Sequence, residues 1–164
     1  MGVTRQLAAL DELVRRAGQI PEVDAVILIG SLASATADAL SDVDAIVVVR
    51  EFSFPSAYGQ RHSLHAASVP ACWDHLTDPP SEVAAHKWID ENAVLVEVLL
   101  ATASGSLRIA EPARVILGDP AVLNRTRRRP RIRRHEMTGS THPIEAAYDG
   151  LKDAVRRAAP PSAT

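Results

Sequence analysis

Two short apolar runs, joined by a polar segment with a glycine and paired aspartates, constrain the fold of this chain most strongly. Val26–Ile29 ends at Gly30, and Asp42 and Asp44 come just before Ala45–Val49. Each run has the length of a buried strand. Because successive strand side chains alternate between faces, a spacing of two places both aspartates on one side. The sequence therefore predicts a strand-turn-strand unit with two carboxylates at the start of its second strand.

The paired aspartates indicate a cation site. Two like charges at this spacing repel each other, and a bound cation removes that repulsion. Carboxylate oxygens suit Mg²⁺, which completes its shell with water and phosphate oxygens. Gly30 lets a phosphate approach the backbone closely, and Ser31 adds a hydroxyl and an N–H group. The alternative interpretation is an Asp-rich surface turn between two hairpin strands.

The segment from Gly30 to Asp44, GSLASATADALSDVD, resembles the signature of the nucleotidyltransferase superfamily, which has the polymerase-beta-like fold. The shared pattern is Gly-Ser, a spacer, and Asp-x-Asp on a strand. Minimal nucleotidyltransferase domains and aminoglycoside-type adenylyltransferases are the most similar variants, and they carry comparable TAD and SDVD runs. Many members have Arg-Gly where this chain has Ser34-Ala35, so a cation often found near the phosphates is missing.

The resemblance implies an α/β (α+β) fold, with a mixed sheet of about five strands, flanking helices and a short C-terminal helical tail. It also implies an enzyme that uses two Mg²⁺ ions and an NTP, most simply ATP. Asp42 and Asp44 would bridge the ions, and Gly30 and Ser31 would hold the β- and γ-phosphates. The candidate nucleotide-binding residues are Gly30, Ser31, Ser34 and Ser41.

Glu97 is the second informative residue, because it is a carboxylate within the apolar run Ala93–Leu100. An ionised carboxylate in such a strand is costly unless it is paired or binds a metal. In nucleotidyltransferases a third carboxylate comes from a later strand, and Glu97 resembles it in position. We therefore include Glu97 with the catalytic and metal-binding aspartates. The alternative is a glutamate at the edge of the sheet, or one that forms an ion pair with an arginine such as Arg108 or Arg114.

Other chemically distinctive residues give weaker signals. We expect Trp73 and Trp88 to belong to the core and Cys72 to be a buried strand thiol. Four histidines lack the sequence spacing of common zinc motifs, so the sequence predicts no zinc site. These histidines are His62, His65, His75 and His86.

Hydrophobic periodicity gives the order of the elements. Helices are predicted at 4–18, 56–66, 81–91 and 143–158. Strands are predicted at 23–29, 43–50, near Val69–Trp73, at 93–100 and at 114–117. The predicted organisation is a nucleotidyltransferase domain at 1–123, an Arg-rich connector at 124–142 and a C-terminal helix at 143–158.

Composition and charge limit the classes of function. The 164 residues suit one domain, and no apolar run is long enough for a membrane span. The single cysteine and the N-terminus without a signal-peptide layout suit the cytoplasm. Residues 1–123 carry 8 basic against 16 acidic side chains, a net charge of −8, whereas residues 124–164 carry 10 against 4, a net charge of +6. The acidic body argues against a nucleic-acid platform.

Three functions are compatible with this sequence. The first is transfer of a nucleoside monophosphate to a hydroxyl of a small molecule, such as an aminoglycoside-like antibiotic or natural product. The second is an antitoxin that modifies or masks a helical partner protein. The third is a catalytically silent domain that binds a nucleotide or a partner. The apolar stripe of the predicted helix 143–158 also favours a homodimer, since an isolated helix of this length is marginal in water.

Overall fold

The computed structural model of the chain describes residues 2–78, 82–104, 109, 111–126 and 142–158. Within these ranges it has a six-stranded mixed sheet and five α-helices. The strands are β1 (Val23–Ile29), β2 (Val43–Val49), β3 (Ala71–Asp78), β4 (Val83–Ile89), β5 (Leu95–Thr102) and β6 (Arg114–Leu117). The helices are α1 (Thr4–Ala17), α2 (Gly30–Ala33), α3 (Phe54–Gly59), α4 (Val122–Thr126) and α5 (Pro143–Ala158), with a 3₁₀ turn at Arg61–Leu64.

The strand order in the sheet is β3-β4-β5-β2-β1-β6. β2 pairs with β5 in parallel, and the other neighbouring strands pair antiparallel. β2 is central and has neighbours on both sides. Accordingly, every residue of β2 is buried except Asp44, which is half-buried. This position explains why the β2 sequence is almost continuously apolar.

The two faces of the sheet have separate cores. On the helix face, defined here as the side that α1 and α3 cover, Leu10 and Leu13 of α1 pack with Val47 and Val98. These α1 residues lie on one stripe of the helix, as its periodicity predicts. On the opposite face a smaller core contains Ile27, Ile46, Val48, Ala101 and Val122 of α4. Alternation along β2 and β5 therefore decides which face each side chain occupies.

Most predicted elements are confirmed, but the helix predicted at 81–91 is wrong. Residues 83–89 form β4, which pairs with β3 on one side and with β5 on the other. Pairing with strands on both sides outweighs the local preference of the segment for a helix, because it satisfies the backbone N–H and C=O groups along the whole strand. The described sheet therefore has six strands instead of about five.

The predicted environments of three side chains can be compared with the structure. Trp73 and Trp88 are buried, which confirms that both belong to the core. Cys72 lies in β3 as predicted, but its side chain is exposed, so the expectation of a buried thiol is wrong. β3 is at the edge of the sheet, and consecutive residues of a strand face opposite sides, which accounts for a buried Trp73 beside an exposed Cys72.

The chain divides into two compact units, Met1–Arg131 and Ile132–Thr164. In the second unit, α5 has the bounds that the sequence predicts. Residues 127–141 of the predicted Arg-rich connector lie outside the described residues. In the part of the chain that the structure describes, no helix is both long and apolar enough to cross a membrane.

Candidate functional site

The structure brings Asp44 and Glu97 together. Asp44 of β2 and Glu97 of β5 are direct partners across the parallel strand pair, so both belong to the opposite face of the sheet. Asp42 comes two residues before Asp44, immediately ahead of β2. We call Asp42, Asp44 and Glu97 the carboxylate cluster. Its members come from two segments that are more than fifty residues apart in the sequence.

Gly30 packs against the carboxylate cluster. It begins α2 with a positive φ of 70°, a backbone conformation that favours glycine. A Cβ atom at this position would lie 2.5 Å from Asp44 Oδ2. The contact follows from the pairing of Ile29 with Asp44 across β1 and β2, which brings the end of β1 to the start of β2. A glycine is therefore required here both for the turn and for the space that Asp44 occupies.

The candidate serines help to shape the loop between β1 and β2. The Ser34 hydroxyl lies 3.1 Å from the Gly30 carbonyl oxygen and 3.0 Å from that of Ser31. The Ser41 hydroxyl donates to Asp38 Oδ1 at 2.9 Å and accepts the Asp38 N–H at 2.8 Å. Both hydroxyls therefore make local hydrogen bonds within the loop that leads to Asp42.

Two residues of α1 that were not among the predicted site residues hold the same loop. Gln6 is buried, and its side-chain amide donates to the carbonyl oxygens of Ala39 at 3.0 Å and Ser41 at 3.1 Å. The guanidinium of Arg5 also donates to the Ala39 carbonyl oxygen, at 3.1 Å. A polar residue on the buried stripe of an amphipathic helix is the signal that could have identified Gln6.

Glu97 forms an ion pair with Lys87 of β4, at 3.1 Å between Nζ and Oε2. The two residues are direct partners across the antiparallel pair of β4 and β5. Lys87 is 11% exposed and Glu97 is 32% exposed, so the pair is partly accessible. The structure gives Glu97 an ion-pair partner, Lys87, that the sequence interpretation did not name, and β5 lies within the sheet and not at its edge. Arg114 belongs to β6, from which β1 and β2 separate β5, and Arg108 lies outside the described residues.

A second group of side chains lies on the helix face, and we call it the histidine cluster. It consists of His62 from the 3₁₀ turn, His65 just after that turn, and His86 from β4. Each histidine offers a ring nitrogen, and these three atoms lie within 4.8 Å of one another. His65 and His86 are buried, whereas His62 is exposed. The Nε2 atoms of the two buried rings are 3.1 Å apart.

Asp74 links the histidine cluster to the positively charged side chain of Arg61. It accepts two hydrogen bonds from the Arg61 guanidinium, each of 2.8 Å, and its Oδ1 lies 2.7 Å from His86 Nδ1. The hydrogen bond from Arg61, and then that from His86, holds the pKa of Asp74 below its usual range. At neutral pH Asp74 is therefore an ionised carboxylate, which can only accept hydrogen bonds.

Burial keeps the two inner histidines neutral. It lowers the pKa of His86 to about 4, despite the opposing hydrogen bond to Asp74. Burial also lowers the pKa of His65. The indole of Trp88 packs beside both rings, with centroid distances of 5.1 Å to His65 and 5.6 Å to His86, and helps to exclude water. Neutral imidazole is the form of histidine that binds metals.

Two cavities lie away from the carboxylate cluster. One, of about 210 Å³, is lined by His65, Trp88 and residues of α1. The other, of about 240 Å³, is lined by Asp24, Asp119 and part of α4. Neither lining includes Asp44 or Glu97. A ligand at the carboxylate cluster would therefore not occupy either of these two cavities.

A scan against protein-family models gives no match for this chain, and a search of curated proteins also gives none. The chain's own geometry therefore carries the functional argument. Two arrangements stand out: oxygen ligands in the carboxylate cluster and nitrogen ligands in the histidine cluster. They differ in donor chemistry, in burial and in the face of the sheet that they occupy.

Proposed function

We propose that this chain is a magnesium-dependent nucleotidyltransferase with the polymerase-beta-like fold. In this proposal it transfers a nucleoside monophosphate from an NTP, with ATP as the expected donor, to a hydroxyl group of a small molecule. The observation that carries the proposal is the direct pairing of Asp44 with Glu97, next to the backbone of Gly30. Carboxylates on neighbouring strands beside a glycine turn form a donor set for a divalent cation that also binds phosphate.

The residues of the carboxylate cluster fit Mg²⁺, because all three offer hard oxygen ligands. Asp42, Asp44 and Glu97 would hold the two expected ions. When bound, Mg²⁺ offsets the charge that develops on the attacking and leaving oxygens and lowers the pKa of the attacking hydroxyl. The close approach of Gly30 to Asp44 supports this fit, since it keeps the backbone beside the carboxylates free of a side chain.

The protein residues have defined tasks in the proposed reaction. Gly30 and Ser31 would bind the β- and γ-phosphates and hold the α-phosphorus in line with the acceptor. The acceptor oxygen then bonds to the α-phosphorus. The bond between that phosphorus and the oxygen that bridges the α- and β-phosphates breaks, and pyrophosphate leaves. The hydroxyl proton passes to Glu97 or to a water molecule. Lys87, whose ammonium lies beside Glu97, adds a positive charge to a site that lacks the arginine often found near residues 34–35.

A catalytically silent domain is the competing proposal, and the Lys87–Glu97 ion pair favours it. An ammonium group at 3.1 Å neutralises Glu97 without any metal. If the pair is permanent, the carboxylate cluster would be a structural feature of the sheet. The two proposals differ in one measurable property, because only the first requires turnover of an NTP.

Partner binding is a further proposal, and it concerns α5. Three large aliphatic side chains of this helix are exposed: Ile144 by 38%, Leu151 by 63% and Val155 by 46%. Their spacing places them on one side of the helix. Such a stripe suits a homodimer or a helical partner protein, and the net charge of +6 at residues 124–164 would attract an acidic body such as residues 1–123 of a second copy. Light scattering of the full chain at micromolar concentration tests the homodimer, which a monomer would contradict.

The decisive experiment for the enzymatic proposal is incubation of the full chain with each NTP, Mg²⁺ and a panel of hydroxyl-bearing acceptors and helical proteins. Mass spectrometry would detect the nucleotide adduct, and pyrophosphate release would measure turnover. We expect an adduct that requires Mg²⁺ and disappears in the Asp44→Asn variant. The matched control is Asp24→Asn, which removes a carboxylate from β1 outside the cluster. NTP binding without turnover would support the silent domain instead.

A further inference from the structure

The contacts of the two buried histidines require more protons than two neutral rings can supply. His86 Nδ1 must donate to the ionised Asp74 at 2.7 Å, because that carboxylate only accepts. His65 Nδ1 must donate to the carbonyl oxygen of Ala66 at 2.8 Å, for the same reason. A third proton would be needed between the two Nε2 atoms, which are 3.1 Å apart. Two neutral imidazoles carry only two N–H groups.

With both protons on Nδ1, the two Nε2 lone pairs face each other. An additional proton could satisfy this contact only by making one ring an imidazolium. Burial opposes that charge, because both rings are removed from water and a charged ring loses its hydration there. A metal ion satisfies the same geometry without a third ring proton, because it accepts both lone pairs at once.

We propose that His62, His65 and His86 form a binding site for a zinc-class transition-metal ion. Neutral imidazole is a preferred ligand of Zn²⁺, and three histidines with one open position are a known zinc arrangement. Two nitrogens about 2.0–2.1 Å from a tetrahedral zinc ion are separated by roughly 3.3–3.4 Å, close to the observed separation of the two Nε2 atoms. His62 would supply the third nitrogen: the ligand atoms of all three rings lie within 4.8 Å, and rotation of the exposed His62 side chain would bring its nitrogen closer to the other two.

The surroundings of the rings support metal binding. Histidine ligands commonly donate their second ring N–H to a carboxylate or to a backbone carbonyl, which fixes the tautomer that leaves Nε2 available. Here Asp74 accepts from His86, and the Ala66 carbonyl accepts from His65. Arg61 holds Asp74 through two further hydrogen bonds. Because His62 is exposed, the fourth coordination position opens toward solvent, where water or an anionic ligand can bind.

The site is separate from the carboxylate cluster and does not depend on the proposed nucleotidyltransfer. His86 is paired with Val98 across β4 and β5, whereas the next residue, Lys87, is paired with Glu97. Consecutive residues face opposite sides of a strand, so His86 and Glu97 belong to different faces of the sheet. Nitrogen and oxygen donors also select different metals, which allows the two sites to be tested independently.

The test is a zinc titration of the full chain after removal of metals by chelation, in competition with a chromophoric chelator and in excess Mg²⁺. We expect one Zn²⁺ per chain that Mg²⁺ does not displace. Co²⁺ should bind at the same site and give the visible absorption of a four-coordinate ion. His62→Ala is the first variant to test, because this exposed side chain can be removed without disturbing the core. It should weaken Zn²⁺ binding, whereas the control His142→Gln, at a histidine just before α5 and outside the histidine cluster, should not.

Asp74→Asn tests whether Asp74, which is not a proposed ligand, supports the site through its hydrogen bond with His86. Loss of such a hydrogen-bond partner typically weakens metal affinity by about 10–100-fold, and we expect that range here. Circular dichroism of the metal-free variants would identify any that fail to fold. Zinc binding that is unchanged in His62→Ala, His65→Gln and His86→Gln would overturn the proposal. The absence of zinc binding by the wild-type chain would also overturn it, and nitrogen NMR shifts would then be expected to show an imidazolium in the histidine pair at neutral pH.

Discussion

The carboxylate cluster and the histidine cluster lie on opposite faces of the same sheet, and they show two ways of building a site. Asp42 lies just ahead of β2 and Asp44 lies within it, two residues apart, so the sequence alone places them near each other. The histidines meet only because β4 lies against the turn that follows α3. Polar groups near the surface can be recognised from their spacing, whereas a buried cluster depends on how the elements pack.

The clusters also differ in how their charge is balanced. Asp44 and Glu97 place two carboxylates side by side, and Lys87 offsets part of that charge. The inner histidines are neutral, and the guanidinium of Arg61 is the positively charged partner of Asp74. Changes to the carboxylate cluster should therefore affect activity more than stability. Changes to the histidine cluster should affect stability and its dependence on pH.

The largest expected effect is the loss of activity in Asp42→Asn and in Asp44→Asn. Each change removes an oxygen ligand and its charge, so Mg²⁺-dependent NTP turnover should fall to the background rate while the fold is retained. Pyrophosphate release and thermal unfolding would be measured together. Removal of one like charge should keep or raise the melting temperature. Turnover at the wild-type rate in both variants would refute the proposed role of this cluster.

The next largest effect concerns the pH dependence of stability at the histidine cluster. The unfolded chain protonates His86 below about pH 6.5, whereas the folded chain does so only near pH 4. Stability should therefore fall as the pH decreases through this window, by up to about 3 kcal/mol. Asp74 and the neighbouring Arg61, His62 and His65 are the charged or titratable groups of this environment.

Urea unfolding at several pH values, in the presence of a chelator, would measure this dependence. His86→Gln should reduce the loss of stability between pH 6.5 and 4, since it removes the titrating group. His142→Gln is the matched control and should keep the wild-type slope. An identical slope in wild type and His86→Gln would contradict the assignment of the pH dependence to this ring.

A smaller effect is expected from Gly30→Ala. The positive φ of Gly30 should cost an alanine about 1–2 kcal/mol of stability. The new Cβ would also meet Asp44 Oδ2, so the carboxylate must move and turnover should fall. Gly59→Ala is the matched control, because a Cβ there meets nothing within 4 Å. Equal stability and turnover in the two variants would show that the close approach of Gly30 to Asp44 has no consequence.

The smallest effect on stability is expected from the Lys87–Glu97 ion pair. The pair is partly exposed, so a double-mutant cycle with Lys87→Met and Glu97→Gln should give a coupling of about 0.2–1 kcal/mol. A fully buried pair would lose about 3–5 kcal/mol when one partner is removed. Glu97→Gln should nevertheless abolish most turnover if Glu97 is a metal ligand. Normal turnover combined with the larger stability loss would favour a purely structural role.

Local sequence patterns were sufficient for many features of the fold. The helix stripe from Leu7 to Ala17 and the apolar runs of β1, β2 and β5 predicted elements at the observed positions, although Leu7 itself is exposed. They failed at β4, where Val83–Ile89 pairs with strands on both sides and shows no clear period of its own. Because this segment was predicted as a helix, the interaction partners of Lys87 and His86 could not be foreseen; they depend on β4 being a strand.

The amino-acid sequence by itself determined the two strands β1 and β2 and the glycine that ends the first of them, because alternation along a strand and the freedom of glycine are local properties. Only the tertiary structure decided that Asp44 lies beside Glu97, and that His65 and His86 face each other at 3.1 Å. Register between strands depends on which faces are buried, and that depends on the whole sheet. The spacing of residues along the chain therefore predicted the Asp42 and Asp44 pair, whereas the packing of β4 against β5 and the 3₁₀ turn created the histidine cluster.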